Sequence, residues 1–201
     1  MKRIIAVIMA AMLMLSLAAC GTNNGGSTQD TQGTTAPAST IASALEILET
    51  VWASYPEESK FPVGGGDMLT DETTNWEGPA AFGVTGEAVE ALNATLHFPT
   101  ESASKIDAAA SMMHAMNANT FTCGAFHVVN TADMDALVTE IKATIDGTQW
   151  MCGFPEKVVI ATVEDYIVSY VGNGDIVDTF TTQFTTVYAN ANVVVNEAIV
   201  A

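Results

Sequence analysis

Apolar residues fill Ile4 to Leu17 with only Ser16 interrupting, aromatic and branched aliphatic residues are then absent from Gly21 to Ser39, and from Ile41 onward they return at regular spacings. The first spaced set, Ile41, Leu45, Leu48, Trp52 and Tyr55, steps alternately by four and three, which predicts a helix capped by Thr40 and stopped by Pro56. Glu57 to Pro79 has no period and reads as an acidic loop around Gly64, Gly65 and Gly66. Thr85 starts a short helix with Val89 and Leu92, and Leu96 to Pro99 reads as extended. Ser104 with Asp107 three residues on has the form of a capping box, predicting a helix with Ile106, Ala109, Ala110, Met113 and Asn117 on one face.

The C-terminal stretch is patterned more sharply. Thr120 to Val129 has strand composition; Thr131 caps a helix whose Met134, Leu137, Val138, Ile141 and Ile145 form a stripe ending near Gly147. Val158 to Val163 and Tyr166 to Val171 are strands, and the Glu164-Asp165 pair between them makes a hairpin. Val177, Phe180, Phe184 and Val187 have helix spacing, while Phe180, Phe184 and Tyr188 would also share one face of a strand, and Thr is a poor helix former. Val193 to Val200 is a last strand. The order β-α-β-β-α-β is that of a split βαβ, ferredoxin-like body, with both helices expected on one sheet face. The expected fold class is therefore α+β: residues 40–201 form a single globular domain, in which 40–118 is a mainly helical N-terminal extension and 119–201 the βαββαβ body.

Composition changes the picture by exclusion. The chain carries six Lys plus Arg against 23 Asp plus Glu, for a formal net charge of −17. Without Lys2 and Arg3, four cations face the same 23 acids and no Arg remains, leaving −19. Nucleic acid binding needs a basic patch to neutralise phosphates, so no nucleic acid partner is expected. An anionic lipid surface repels such a body for the same reason.

The N-terminus supplies a location. Lys2 and Arg3 precede an apolar run of about 14 residues, too short for a bilayer span of roughly 20 but suited to a signal-peptide core. Leu17, Ala18, Ala19 and Cys20 close that run. This lipobox resembles that of bacterial lipoproteins, which implies removal of residues 1–19, diacylglycerol on the Cys20 thiol and acylation, such as palmitate, of the new N-terminus. Two or three chains hold a protein stably where one is marginal. Residues 20–39 cannot bury enough apolar surface to order themselves and form a flexible tether, with a root-mean-square reach of roughly 25 Å. The expected location is the extracytoplasmic face of the cell membrane.

Candidate chemistry in the body is sparse. Cys123 and Cys152 are the thiols left after Cys20. In the expected fold the Gln149–Gly153 segment returns to the beginning of the strand holding Cys123, so either a disulfide or two buried free thiols fits; a bond closing about 29 residues would contribute roughly 3 to 4 kcal/mol. Zinc on Cys123, His127 and Cys152, with His114 as a further ligand, lacks the close paired spacing of structural zinc sites. The loop acids Asp67, Asp71, Glu72 and Glu77 lack the alternating spacing of a calcium loop. Cys123 and His127 are separated by roughly 13 Å of strand rise, too far for a nucleophile and its base. No Gly-x-Ser-x-Gly elbow, His-Glu-x-x-His helix or phosphate loop occurs. No catalytic residue, metal or cofactor is therefore assigned.

The run Gln149-Trp150-Met151-Cys152-Gly153-Phe154-Pro155-Glu156-Lys157, with the hydrophobic hairpin that follows it through Gly172-Asn173, is similar to small lipoproteins of unknown function from Gram-positive anaerobes. The resemblance covers the signal and most of the C-terminal half; it implies a surface lipoprotein and transfers no catalytic residue. Trp150 and Phe154 are expected to plug the corner between helix and strand. The expected function is a non-enzymatic binding or interaction module, taking a protein, peptide or small solute. The alternative is a cell-envelope enzyme or thiol redox protein using Cys123 and Cys152.

Overall fold

A computed structural model describes residues 39–67, 74–151 and 153–200. The signal segment, Cys20, nearly all of the tether, Asp71, Glu72 and Cys152 lie outside the described residues. Mixed helix and antiparallel sheet make the body α+β. In chain order the elements are α1 (Ala44–Ala53), β1 (Val63–Gly64), β2 (Ala80–Phe82), α2 (Ala88–Leu96), β3 (Ile106–His114), β4 (Phe121–Val128), α3 (Met134–Asp146), β5 (Lys157–Val163), β6 (Tyr166–Gly172), α4 (Gly174–Val187) and β7 (Asn192–Ala198).

Local chemistry accounts for the helix boundaries. Ser43, not Thr40, caps α1: its Oγ accepts from the Glu46 amide at 3.1 Å, and the Glu46 carboxylate accepts from the Ala42 amide at 2.7 Å. The buried face of α1 is Ala44, Ile47, Leu48 and Val51, rotated from the expected stripe, with Leu45 and Trp52 half-buried. The ambiguous Thr-rich segment is helical as α4. There the hydroxyls of Thr179, Thr181, Thr182, Thr185 and Thr186 each donate to the carbonyl four residues back. Phe180 and Phe184 stack on its inner face at 6.2 Å between ring centroids.

The sheet runs β1-β3-β4-β6-β5-β7, with β2 also paired to β3. This corrects the ferredoxin-like expectation: β7 lies beside β5, where that topology would place the last strand beside β4. Every neighbouring pair is antiparallel, so β4 runs parallel to β5 across β6, and β6 parallel to β7 across β5. Both helical crossovers thus step the same way along the sheet from strands that point oppositely. Crossovers of one hand then fall on opposite faces. Accordingly α4 joins α1 over a core containing Cys123, Val159, Val168 and Tyr170, whereas α3 joins α2 over one containing Phe126, Ile160, Ile167 and Val171.

The helical extension is also corrected. Ile106 to His114 is the strand β3, which pairs β4 on one side and β1 and β2 on the other, drawing the N-terminal part into the same sheet. With both faces covered, Ala109 to Met113 are buried without a break and the alternation that marks a strand is lost. Its Ala-rich run has strong helix propensity, and strand pairing overrides it. Gly65 shows how closely the backbones meet here: a Cβ on it would lie 2.3 Å from the Ala80 nitrogen and 2.6 Å from the Ser111 carbonyl oxygen. Buried Ser111 secures this junction, its Oγ accepting from the Gly66 amide at 2.8 Å and donating to the Gly66 carbonyl at 3.1 Å.

Candidate functional site

Cys123 has a free thiol as the third residue of β4, fully buried. Burial pushes it well above its ordinary pKa, which keeps the thiol protonated and unreactive. Tyr55 and Tyr170 lie in the same core, and burial raises both phenols as well. The expected return of the Gln149–Gly153 segment toward the beginning of β4 is present: Asn119 Nδ2 donates to the carbonyls of Met151 at 2.7 Å and Gly153 at 3.0 Å. The histidines occupy three separate places. His114 stacks on Phe61, His97 contacts Trp150, and His127 lies at the far end of β4 from Phe121. Among the described residues no cluster of His, Cys, Asp and Glu is arranged to hold a metal ion.

Polar chemistry gathers instead at the two ends of the sheet. At one end, the β5-β6 turn carries Glu164 in the left-handed region at φ 52°. Its carboxylate accepts from Ser39 Oγ at 2.6 Å, from Thr40 N at 2.7 Å, from Thr40 Oγ1 at 2.6 Å and from Ile41 N at 3.3 Å. The hydroxyls of Ser39 and Thr40, followed by the backbone amides, hold the Glu164 carboxyl down at about 2. Thr40, expected to cap a helix, is spent on this clasp.

Beside it, the imidazole of His127 bridges two carboxylates. Nε2 is 3.1 Å from Asp165 Oδ2, and Nδ1 bonds Asp107 Oδ1 on the opposite side. A register shift between Ile106 and Ala108 takes Asp107 out of the strand ladder and turns it toward His127. Two acceptor-only partners require both ring nitrogens to carry hydrogen, the imidazolium form. Burial draws the His127 pKa down, but the hydrogen bonds and charges of Asp107 and Asp165 outweigh it and leave the pKa raised. The group joins β3, β4 and the β5-β6 turn.

At the other end, a cleft of about 610 Å³ opens between the C-terminal end of α3, the segment after it and β7. Trp150 and Phe154 both line it, edge to face, with ring planes at 70° and centroids 6.4 Å apart. Across it Lys142 Nζ lies 2.7 Å from Asp146 Oδ2 and 3.4 Å from Glu197 Oε2. Trp150 also meets His97 edge-on at 4.9 Å, and burial lowers the His97 pKa to about 4, so that ring is neutral. Trp150 therefore packs into the corner as expected, whereas Phe154 remains 42% exposed at the cleft. Sequence spacing does not show this cleft, because its lining comes from α3, from Gln149, Trp150 and Phe154, and from β7; the aromatic pair in the Gln149–Lys157 run is its visible part.

The body is thus an α+β protein with one antiparallel sheet between two pairs of helices. No protein-family model, curated protein or solved structure matches the chain.

Proposed function

We propose that this chain is a lipid-anchored lipoprotein of the extracytoplasmic membrane face, acting there as a non-enzymatic binding module. Cys20 carries the lipid, residues 20–39 are the tether, and the body presents its cleft to a soluble or surface-bound ligand. The observation that carries this reading is the polarity of the sheet. Ser39–Ile41, where the tether arrives, are held by Glu164 at the turn end, and the cleft with Trp150, Phe154 and Glu197 opens at the other end. The strands between span about 20 Å at roughly 3.3 Å per residue. The cleft therefore lies at the opposite end of the strands from residues 39–41.

The site chemistry favours binding over reaction. Cys123 is buried and protonated, and both nitrogens of His127 are engaged by carboxylates. Neither serves as a nucleophile or free base in this arrangement. The test is metabolic labelling with a fatty acid analogue in a cell that processes lipoproteins, followed by membrane fractionation. Wild type should take label and sediment with membranes, and Cys20→Ala should lose both. Label retained on Cys20→Ala would overturn the anchor.

A further inference from the structure

We propose that the cleft at the end of α3 and β7 binds a neutral, polyhydroxylated ligand, a saccharide chain, with the exposed ring of Phe154 and the half-buried Trp150 set edge to face beside it as the aromatic contacts and Glu197, Asp146 and Gln149 as the hydroxyl-binding groups. This rests on the binding-module reading and names its ligand class.

Charge narrows the choice first. All four lysines of the body stand in ion pairs: Lys60 with Glu57, Lys105 with Glu140, Lys142 with Asp146 and Glu197, and Lys157 with Asp178. In the cleft Lys142 faces two carboxylates, so an anionic ligand would meet a net negative wall and a cation already committed. A cationic ligand would have to displace Lys142, because the Lys142 ammonium lies 2.7 Å from both Asp146 oxygens. Burial of a purely apolar ligand would strip water from Asp146, Lys142 and Glu197 without replacing their hydrogen bonds.

An uncharged ligand with many hydroxyls meets none of these costs. Each hydroxyl both donates and accepts, so it can bond to Glu197, Asp146 or Gln149 and to Lys142 without breaking the charge balance. The carbon-bound hydrogens on one face of a sugar ring carry slight positive charge and suit the negative face of an aromatic ring. The aromatic contacts and the hydroxyl-binding groups supply both halves of that recognition. Phe154, Gln149 and Glu197 are exposed, so the cleft is open to solvent and admits one stretch of a longer sugar chain without having to enclose it.

The experiment uses the full lipidated chain in nanodiscs, free of sugar-based detergent, titrated calorimetrically with a neutral tetrasaccharide of β-1,4-linked N-acetylglucosamine. Saturable binding is expected, unchanged from about 50 to about 500 mM salt because the ligand carries no charge. Trp150→Ala should weaken it by about tenfold or more. Glu197→Gln and Gln149→Ala, at exposed positions, should each weaken it several-fold with thermal unfolding unchanged, so a folding defect in the Trp150 variant does not decide the matter. Binding that none of these variants alters overturns the site. No binding of the tetrasaccharide, with a lysine-rich or neutral peptide binding at the same residues, overturns the saccharide class and leaves the binding module standing. If neither sugar nor peptide binds, both readings fall.

Discussion

His127 Nε2 stands 3.1 Å from Asp165 Oδ2 while the other ring nitrogen bonds Asp107, so one protonated imidazole ties two strands to the hairpin turn. A folded-state pKa raised above 6.5 contributes stability that is fully present below about 6.5 and is lost as pH rises through the folded value. Thermal unfolding followed across neutral pH should show the melting temperature falling over that window. His127→Gln should flatten the dependence. A titration of the His127 ring by NMR should also drop in pKa when Asp107 or Asp165 is changed to Asn; an unshifted titration would refute the bridge.

The Glu164 clasp has the opposite sign. Its carboxyl is held at about 2, below the unfolded value of 4.5, so its contribution is present above about 4.5 and disappears as pH falls through about 2. Hydrogen exchange measured near neutral pH should show the Thr40 and Ile41 amides protected in the wild type and exchanging faster in Glu164→Gln. Exchange in the core of β6 should not change.

Ser111→Ala removes a fully buried hydroxyl that bonds both backbone groups of Gly66. The expected loss is about 1 to 3 kcal/mol in denaturant unfolding. Gly65→Ala should cost more, because the new methyl meets main-chain atoms of Ala80 and Ser111 on both sides and neither can swing away. Equal stability of the Gly65 variant and the wild type would contradict the close approach of β1, β2 and β3.

Cys123 should resist thiol reagents in the native protein and react only as the sheet opens. Its thiol is buried and its pKa raised, which removes both access and thiolate. Peptide mapping after brief maleimide treatment separates it from Cys152. Rapid native labelling of Cys123 would show that the α1 and α4 face is less closed than described.

The C-terminal elements were legible because their signals are local. The stripe Leu137, Val138, Ile141 and Ile145 is buried along α3, and Glu164-Asp165 is the turn between β5 and β6. What was hidden depends on pairing at a distance. The strand β3 looks helical by its alanines, and its pairing with β1, β2 and β4 makes it a strand. The position of β7 beside β5 is likewise a choice between sheet edges that no residue in Asn192–Ala198 announces. The clasp and the bridge were missed for a related reason. Glu164 and Ser39 are 125 residues apart, and Asp107, His127 and Asp165 meet only once three elements are assembled.

The grip of Glu164 on Ser39, Thr40 and Ile41 has a mechanical meaning. A pull on the chain from before Ser39 reaches the body at the tip of the β5-β6 hairpin, whose strands lie in the interior of the sheet. The clasp therefore ties the first described residues of the chain to a turn between two interior strands, so that freeing Ser39 to Ile41 means breaking the bonds to Glu164 and need not open the β4-β6 or β5-β6 ladders.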